Sequence, residues 1–355
     1  MPSPVQAILR AATRTRNGKL NILTFPTHER YESNLAKTGH NFFSWVERNV
    51  TKPKWDEDYA AIPNNFTVLD PNRGVRQIPE FIDIDLVLAQ SRFGQFQLGE
   101  QISQQIPAPL VCIEHTTLPS YSEIVEMPTP RLLIGPREEK RAWHKSMVGD
   151  VNVFISEYSR DIWGWGEEES EVIHHGVDSD TFENRIPAGQ RSPISISVVN
   201  DWINRDWCCG FSLWEEVTGY PNGLPVRVFG ATEGLSESTK TVEELVYNLN
   251  DCRIFVNTST ASPIPTSLLE AMSCGCAVVS TANCMIPSII KNGHNGLCTN
   301  DPNEMRSMIQ TLMKDPDLAT RLGNNARETI VRDFSIPVFV DRWNSIFNKA
   351  LGRST

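Results

Sequence analysis

The 355-residue chain is longer than one ordinary domain and long enough for two, each with its own core. Its formal net charge of −10 argues against a general nucleic-acid binder, which would set an excess of Lys and Arg along a phosphate track. No apolar run approaches the ~20 residues that span a bilayer, and residues 1–18 lack the apolar block of a secretory signal, so a soluble cytoplasmic protein is expected.

In chain order, residues 1–19 form a basic tail with Arg10, Arg14, Arg16 and Lys19 and no acid. LNILTF (20–25) is the first expected strand, and the FPTHERYE that overlaps its end would point His28, Glu29 and Arg30 into a cleft. DLVLAQS (85–91) and PLVCIEH (109–115) are further strands, the second ending in His115. A helix around Trp143 carries Arg137, Lys140, Arg141, His144 and Lys145 beside Glu138 and Glu139. ENRIPAGQRSP (183–193) reads as a hinge, PISISVVN (193–200) opens a second domain, and a helical pattern over 336–351 closes the chain. Alternating strands and helices imply parallel sheets, hence an α/β fold with domains at 20–183 and 184–335 and a C-terminal helix at 336–355. The eight cysteines, with Cys208 beside Cys209 and Cys274 one residue from Cys276, fit buried free thiols better than a zinc knuckle or disulfide framework.

The most specific chemistry lies in residues 257–299. A buried apolar strand, DCRIFVN (251–257), runs into a loop of Ser, Thr and Pro and then into a helix that starts near Pro265. Pro265 suits the first helical turn, and Thr266 and Ser267 offer N–H groups and hydroxyls at the positive helix end, which favours phosphate. Glu270 lies on the same face one turn deeper. Its carboxylate would repel phosphate but accept hydrogen bonds from a neutral diol such as a ribose. Gly275 ends the helix, CAVVST (276–281) reads as the next strand, and NGHNG (292–296) as a turn.

LLEAMSCGCAVVS, followed by IP, NG and NGL, resembles the donor-binding signature of family 4 (group 1) retaining glycosyltransferases of the GT-B fold. VNVFISEYSRDIWGWGEEESEVIHHGVDSDTF (151–182) is similar to that family's segment entering the interdomain cleft, and with VRVFG (226–230) the resemblance covers roughly the last two-thirds of the chain. It implies two Rossmann-like doubly wound parallel sheets facing a cleft, with the C-terminal helix returning to the first domain. It also implies retaining transfer of a sugar from a UDP- or GDP-sugar to a hydroxyl, without a required metal or cofactor. By the same resemblance Thr266, Ser267 and Arg205 would hold the diphosphate, with Ile264 and Pro265 beside them. Glu270 would hold the ribose, Ser262 and His115 the sugar, and the loop from Gly230 to Glu233 would approach the base.

The chain departs from that pattern in three places. Cys209 stands where the family tends to have Lys, leaving Arg205 as the cation of its segment, where Trp202 and Trp207 are expected to pack. Ser262 stands eight residues before Glu270, where the signature has a second Glu. No Gly-rich loop follows the first strand, which moves His28, Glu29 and Arg30 towards acceptor recognition.

His174 and His175, adjacent on an extended segment, point to opposite faces and cannot readily share one ion. Asp83 and Asp85 form only the short Asp-x-Asp of metal-dependent transferases, and there is no Gly-x-Gly-x-x-Gly after a strand and no Walker loop. The acceptor is not named by the sequence. Residues 24–43 also resemble uncharacterised phage-encoded glycosyltransferase-like proteins, which makes a hydroxymethylated DNA base, approached through residues 137–145, an alternative acceptor. A non-catalytic sugar-nucleotide-binding subunit is a further alternative, given Ser262 and Cys209. An epimerase would need an acid and base pair that does not stand out.

Overall fold

In the computed structural model, the described residues are 18–25, 27–46, 55, 57, 60–69, 83–118 and 136–353. They form two parallel sheets. The first runs β3-β2-β1-β4-β5-β6-β7, made of β1 (Asn21–Thr24), β2 (Asn41–Trp45), β3 (Phe66–Leu69), β4 (Leu86–Ala89), β5 (Leu110–Glu114), β6 (Val151–Phe154) and β7 (Glu171–Val172). The second runs β12-β11-β10-β8-β9, made of β8 (Ser192–Val198), β9 (Val226–Phe229), β10 (Cys252–Asn257), β11 (Ala277–Ser280) and β12 (Leu297–Cys298). Between the strands of the first sheet stand α1 (Glu29–Ala36), α2 (Gln95–Gln105), α3 (Arg137–Ser146) and α4 (Glu157–Ile162). The second half carries α5 (Asp206–Cys209), α6 (Phe211–Thr218), α7 (Val242–Asp251), α8 (Thr266–Ser273), α9 (Ile286–Ile289), α10 (Pro302–Lys314), α11 (Pro316–Asp333) and α12 (Ile336–Ala350).

The central strands β4, β5, β6, β10 and β11 are buried along their whole length. Their runs of Val, Ile, Leu and Phe carry no period-two alternation because helices cover both faces of each sheet. The β2 and β3 strands, which the sequence reading did not anticipate, extend the first sheet through NFFSW and FTVL. Strand order reverses between β1 and β4 in one sheet and between β8 and β10 in the other. Crevices at the carboxyl ends of strands at such reversals are where open α/β sheets take ligands, and the segments after β1, β8 and β10 carry much of the site discussed below, joined by those after β5, β7 and β9.

The chain passes from one sheet to the other around residues 174–182 and returns at 334–336. The two crossings lie side by side, with the Val177 N–H donating to the Phe334 carbonyl at 2.7 Å. The stretch 183–193, expected as the hinge, is instead fastened to the second sheet. Buried Arg191 donates to the carbonyls of Ile186, Leu249 and Cys274, and Arg253 to those of Gly189 and Arg191. A segment whose carbonyls satisfy two buried guanidinium groups cannot swing without breaking those bonds. Beyond the second crossing, α12 sets Phe339, Trp343, Ile346 and Phe347 into the core of the first sheet beside Ile22, Leu88 and Val111. Arg10, Arg14 and Arg16 of the basic tail lie outside the described residues. Among the described residues no helix is long and apolar enough to cross a membrane.

Candidate functional site

The second-domain wall of the cleft is built from sequence-local parts. The β10 strand ends at Asn257, and Pro265, with φ −67° and ψ 118°, is the N-cap of α8, so the helix begins one residue later than expected. No side chain caps it, leaving the first N–H groups directed to the cleft. At its other end Gly275, at φ 74°, closes the helix with N–H bonds from Gly275 to Met272 and from Cys276 to Ala271, each 3.0 Å.

The loop after β10 is bonded to the loop after β8. Thr260 and Ala261 N–H donate to the Cys208 carbonyl at 2.9 and 3.2 Å, and the Thr258 hydroxyl donates to the Gly210 carbonyl at 2.8 Å. Gly210 has φ 66°, and a Cβ there would stand 2.0 Å from the Thr258 oxygen, so only glycine lets the two loops meet. Trp202 is fully buried with its indole N–H on the Cys209 carbonyl, whereas Trp207 reaches the cleft. This frame presents Arg205, an exposed residue, at the mouth of the crevice.

Two adjoining cavities occupy the cleft. One, of about 890 Å³, runs over Val198 to Asn200, Phe229 to Ala231 and Ser238 to Lys240 to the start of α8. The other, of about 650 Å³, lies between the domains against Tyr31, His115 and His175. Arg30, Arg205, Ser262, Ile264, Thr266 and Glu270 line both and mark their junction. Pro265, Ser267 and Gly230 face the first cavity alone and His115 the second alone.

Three expected positions are corrected. Glu233 is exposed and lines neither cavity, because the turn from Thr232 to Ser236 carries it away; Ser238, Thr239 and Lys240 take its place. Glu29 is buried and lines neither cavity, since the first turn of α1 points it inward. Arg30, expected on the acceptor side, crosses the cleft to Glu270, its Nη1 donating to Oε1 at 2.7 Å. Glu270 is 7% exposed, and burial raises its pKa against the opposing charge and hydrogen bond of Arg30. His28 lines both cavities as an approach from the first domain.

The first-domain wall is aromatic and held from behind. His115 is half-buried at the end of β5 and faces the second cavity, its ring edge-on to Tyr31 at 4.6 Å and stacked over His175 at 6.1 Å. Burial pushes the pKa of His115 down to about 4 and that of His175 down to about 3, so both imidazoles are neutral at neutral pH. The Nε2 of His115 has no partner among the described residues. Tyr31, whose pKa burial raises, accepts a bond from the Trp343 indole N–H at 3.1 Å, which ties this wall to α12.

Beneath His115, the buried Glu114 carboxylate accepts from the Thr116 N–H and hydroxyl at 3.0 and 2.6 Å, fixing the turn that aims the imidazole. Burial opposes its ionisation, but the hydrogen bond and charge of His144, with Arg92 and Thr116, outweigh that and hold it at about 2. The Trp165 indole N–H donates to His144 Nδ1 at 2.9 Å, which leaves the proton on Nε2 to face Glu114. His144 is therefore part of the core, and α3 does not present residues 137–145 as the continuous basic face that the alternative DNA acceptor would use. Its Lys140 is buried, Arg141 donates to the Ile162 carbonyl, and Lys145 pairs with Glu169.

His174 turns away to Glu157, at 2.9 Å, while His175 enters the cleft. Asp85 accepts from the Asn21 N–H at the opposite end of the sheet, remote from the cleft. No group of three or more metal-ligating side chains forms among the described residues. Sequence reading passed over Tyr31 and Lys240. Tyr31 shows no polar periodicity to mark it, and Lys240 follows a polar turn whose return to the crevice no local signal announces.

Residues 237–329 match the family model of glycosyl transferases group 1, a span that holds α8 and its flanking strands. The crystal structure of the Anabaena protein HepE in complex with UDP and glucose superimposes with a TM-score of 0.70 at 14% identity, covering 93% of this chain and 99% of that one. The fold is accordingly GT-B. Over 109 residues the chain is 29% identical to alpha-maltose-1-phosphate synthase of Mycolicibacterium smegmatis, 28% of each chain. Over 86 residues it is 33% identical to N-acetyl-alpha-D-glucosaminyl L-malate synthase of Bacillus anthracis, 24% of this chain and 23% of that one. The matched stretch thus spans under a third of these curated relatives.

Proposed function

We propose that this chain is a retaining, metal-independent glycosyltransferase of group 1 that moves a sugar from a nucleoside diphosphate to a hydroxyl acceptor. The observation that carries the reading is the junction itself. An uncapped helix start at Thr266, a carboxylate one turn deeper at Glu270 and a cation at Arg205 all meet between a crevice of about 890 Å³ and a second space beside His115. The first crevice suits a nucleoside diphosphate and the second a sugar and its acceptor. A UDP-sugar is the favoured donor, because the structure of similar fold holds UDP and glucose.

In the proposed reaction the acceptor hydroxyl forms the new bond to the anomeric carbon on the face that the diphosphate leaves. Its proton passes to the departing phosphate oxygen as the carbon–oxygen bond to phosphate breaks. The protein positions both partners and compensates charge through the α8 N–H groups and Arg205, while Ser262 and the neutral His115 contact the sugar. Glu270 accepts the ribose hydroxyls.

Calorimetry with UDP, GDP and ADP, followed by donor hydrolysis without acceptor, tests the reading. In Glu270→Ala, the preference for a ribonucleoside diphosphate over its 2′,3′-dideoxy analogue should fall at least tenfold, as expected for hydrogen bonds to a charged group. An unchanged preference would remove Glu270 from the ribose site. The replacement of the usual carboxylate and amine by Ser262 and Cys209 favours a second reading, a binding subunit without turnover. Tight donor binding with no hydrolysis or transfer under any acceptor set would select it.

A further inference from the structure

We infer that Arg30 is a donor-binding residue that reaches the diphosphate from the first domain, and that Glu270 exchanges Arg30 for the ribose when the nucleotide seats. The inference rests on the site proposed above and deepens it. At the junction of the two cavities the charged side chains are Arg30 from α1, Arg205 from the loop after β8, and Glu270. On the second-domain side Cys209 lines the nucleotide crevice where an amine would have added charge. Arg205 is the second-domain cation at the junction itself, since Lys240 lines the nucleotide crevice alone, so a guanidinium reaching from across the cleft adds compensation where the leaving group gains negative charge.

Arg30 has the means to supply it. Its Nη1 is on Glu270 at 2.7 Å, and its Nε is buried without a partner among the described residues, so the guanidinium holds donors in reserve. In a nucleoside diphosphate a single methylene carbon separates the ribose ring from the phosphate ester oxygen. A ribose on the Glu270 carboxylate therefore brings phosphate oxygens to where the guanidinium already stands. One cross-cleft contact replaces another, carboxylate for phosphate, and the planar fork of Arg matches both. Both domains then grip the same diphosphate, which makes donor binding itself the bridge between them.

The test titrates the full-length protein with UDP, uridine and inorganic pyrophosphate. Arg30→Gln should weaken UDP roughly 10- to 100-fold, the range of a lost charge-assisted bond, while uridine binds as well as before or better because Glu270 is released. Arg30→Lys should recover part of the UDP affinity. Glu270→Gln, which frees Arg30, should tighten pyrophosphate, and Arg30→Gln combined with it should erase that gain. Thermal melts confirm that each variant is folded. If Arg30→Gln binds UDP as well as or better than the parent, the residue is only a brake on Glu270 and the inference fails. Equal losses for UDP and uridine would mark a structural role and also overturn it. A parent protein that binds UDP, GDP and ADP not at all would instead defeat the functional reading on which this rests.

Discussion

The two walls of the cleft are made in opposite ways. The second-domain wall is centred on one continuous stretch, strand β10, its loop and helix α8, flanked by the loops after β8 and β9, and its polarity is that of backbone N–H groups, hydroxyls and the cations Arg205 and Lys240. The first-domain wall gathers the buried Tyr31 and the half-buried His115 and His175 from three separate segments and keeps them in ring contact, with both imidazoles neutral. A charged leaving group is served by the first kind of surface, because helix ends and cations need little more than local geometry. A dry, shaped space for a sugar and its acceptor needs the second kind, which exists only when the whole domain is folded. Changes in the second wall should therefore register in nucleotide affinity, and changes in the first wall in stability and turnover.

The largest effect should come from the brace behind the first wall. Trp343 is fully buried on α12 and its indole N–H holds the Tyr31 hydroxyl. Trp343→Ala should cost about 3–5 kcal/mol, the usual range for deleting a large buried aromatic, measured as a shift in denaturant midpoint at unchanged slope. A loss below about 1 kcal/mol would show that α12 does not support this wall.

Acid should separate the walls next. Burial lowers the pKa values of His115 and His175, and also those of the half-buried His40 and the fully buried His144. A histidine held neutral in the fold contributes stability above its ordinary value near 6.5, because below that the unfolded chain takes up a proton that the fold refuses. That stability drains as pH falls from 6.5 towards the folded values, by about 1.4 kcal/mol per pH unit for each fully affected imidazole. Glu114, held at about 2, adds its own loss only below the ordinary carboxylate range. The thermal midpoint should thus fall between pH 6.5 and 5, and His175→Asn should flatten the decline. A flat profile in the parent would contradict burial of these rings.

The same contrast explains what could be read from the sequence. The nucleotide half was legible because its signals are local. An unbroken apolar run gives β10, Pro265 marks a helix start, Gly275 marks its end, and Glu270 lies within one turn of Thr266 and Ser267. The β2 and β3 runs are only five and four residues long, too short to stand out by pattern alone, yet β2 is held by pairing with β1 and β3 by pairing with β2. The Arg30 bond to Glu270 spans 240 residues of chain, and no pattern of composition or period encodes a contact made by two domains facing each other. Glu233 was misplaced for a related reason: its proximity to Gly230 in sequence does not survive the turn between Thr232 and Ser236. His144 looked like one member of a basic helix face, and only the packing of Trp163, Trp165 and Glu114 around it reveals a core residue.

The smallest effect should be the most informative about where the two walls meet. Ser262 lines both cavities at half-buried exposure, in the position where a carboxylate would be expected from the resemblance. A hydroxyl there can give one neutral hydrogen bond to a sugar, worth about 0.5–1.5 kcal/mol, whereas in the proposed reading the helix start and Arg205 would hold the diphosphate independently of it. Ser262→Ala should therefore leave UDP affinity within about twofold and slow donor hydrolysis by roughly 2- to 10-fold, the rate equivalent of one such bond. Isothermal titration against UDP and a coupled assay for released UDP read the two quantities separately. If UDP affinity falls while hydrolysis per bound donor is unchanged, Ser262 belongs to the phosphate side of the junction, and the division between a charged wall and a sugar-shaping wall must be drawn deeper, beyond Ser262 towards His115.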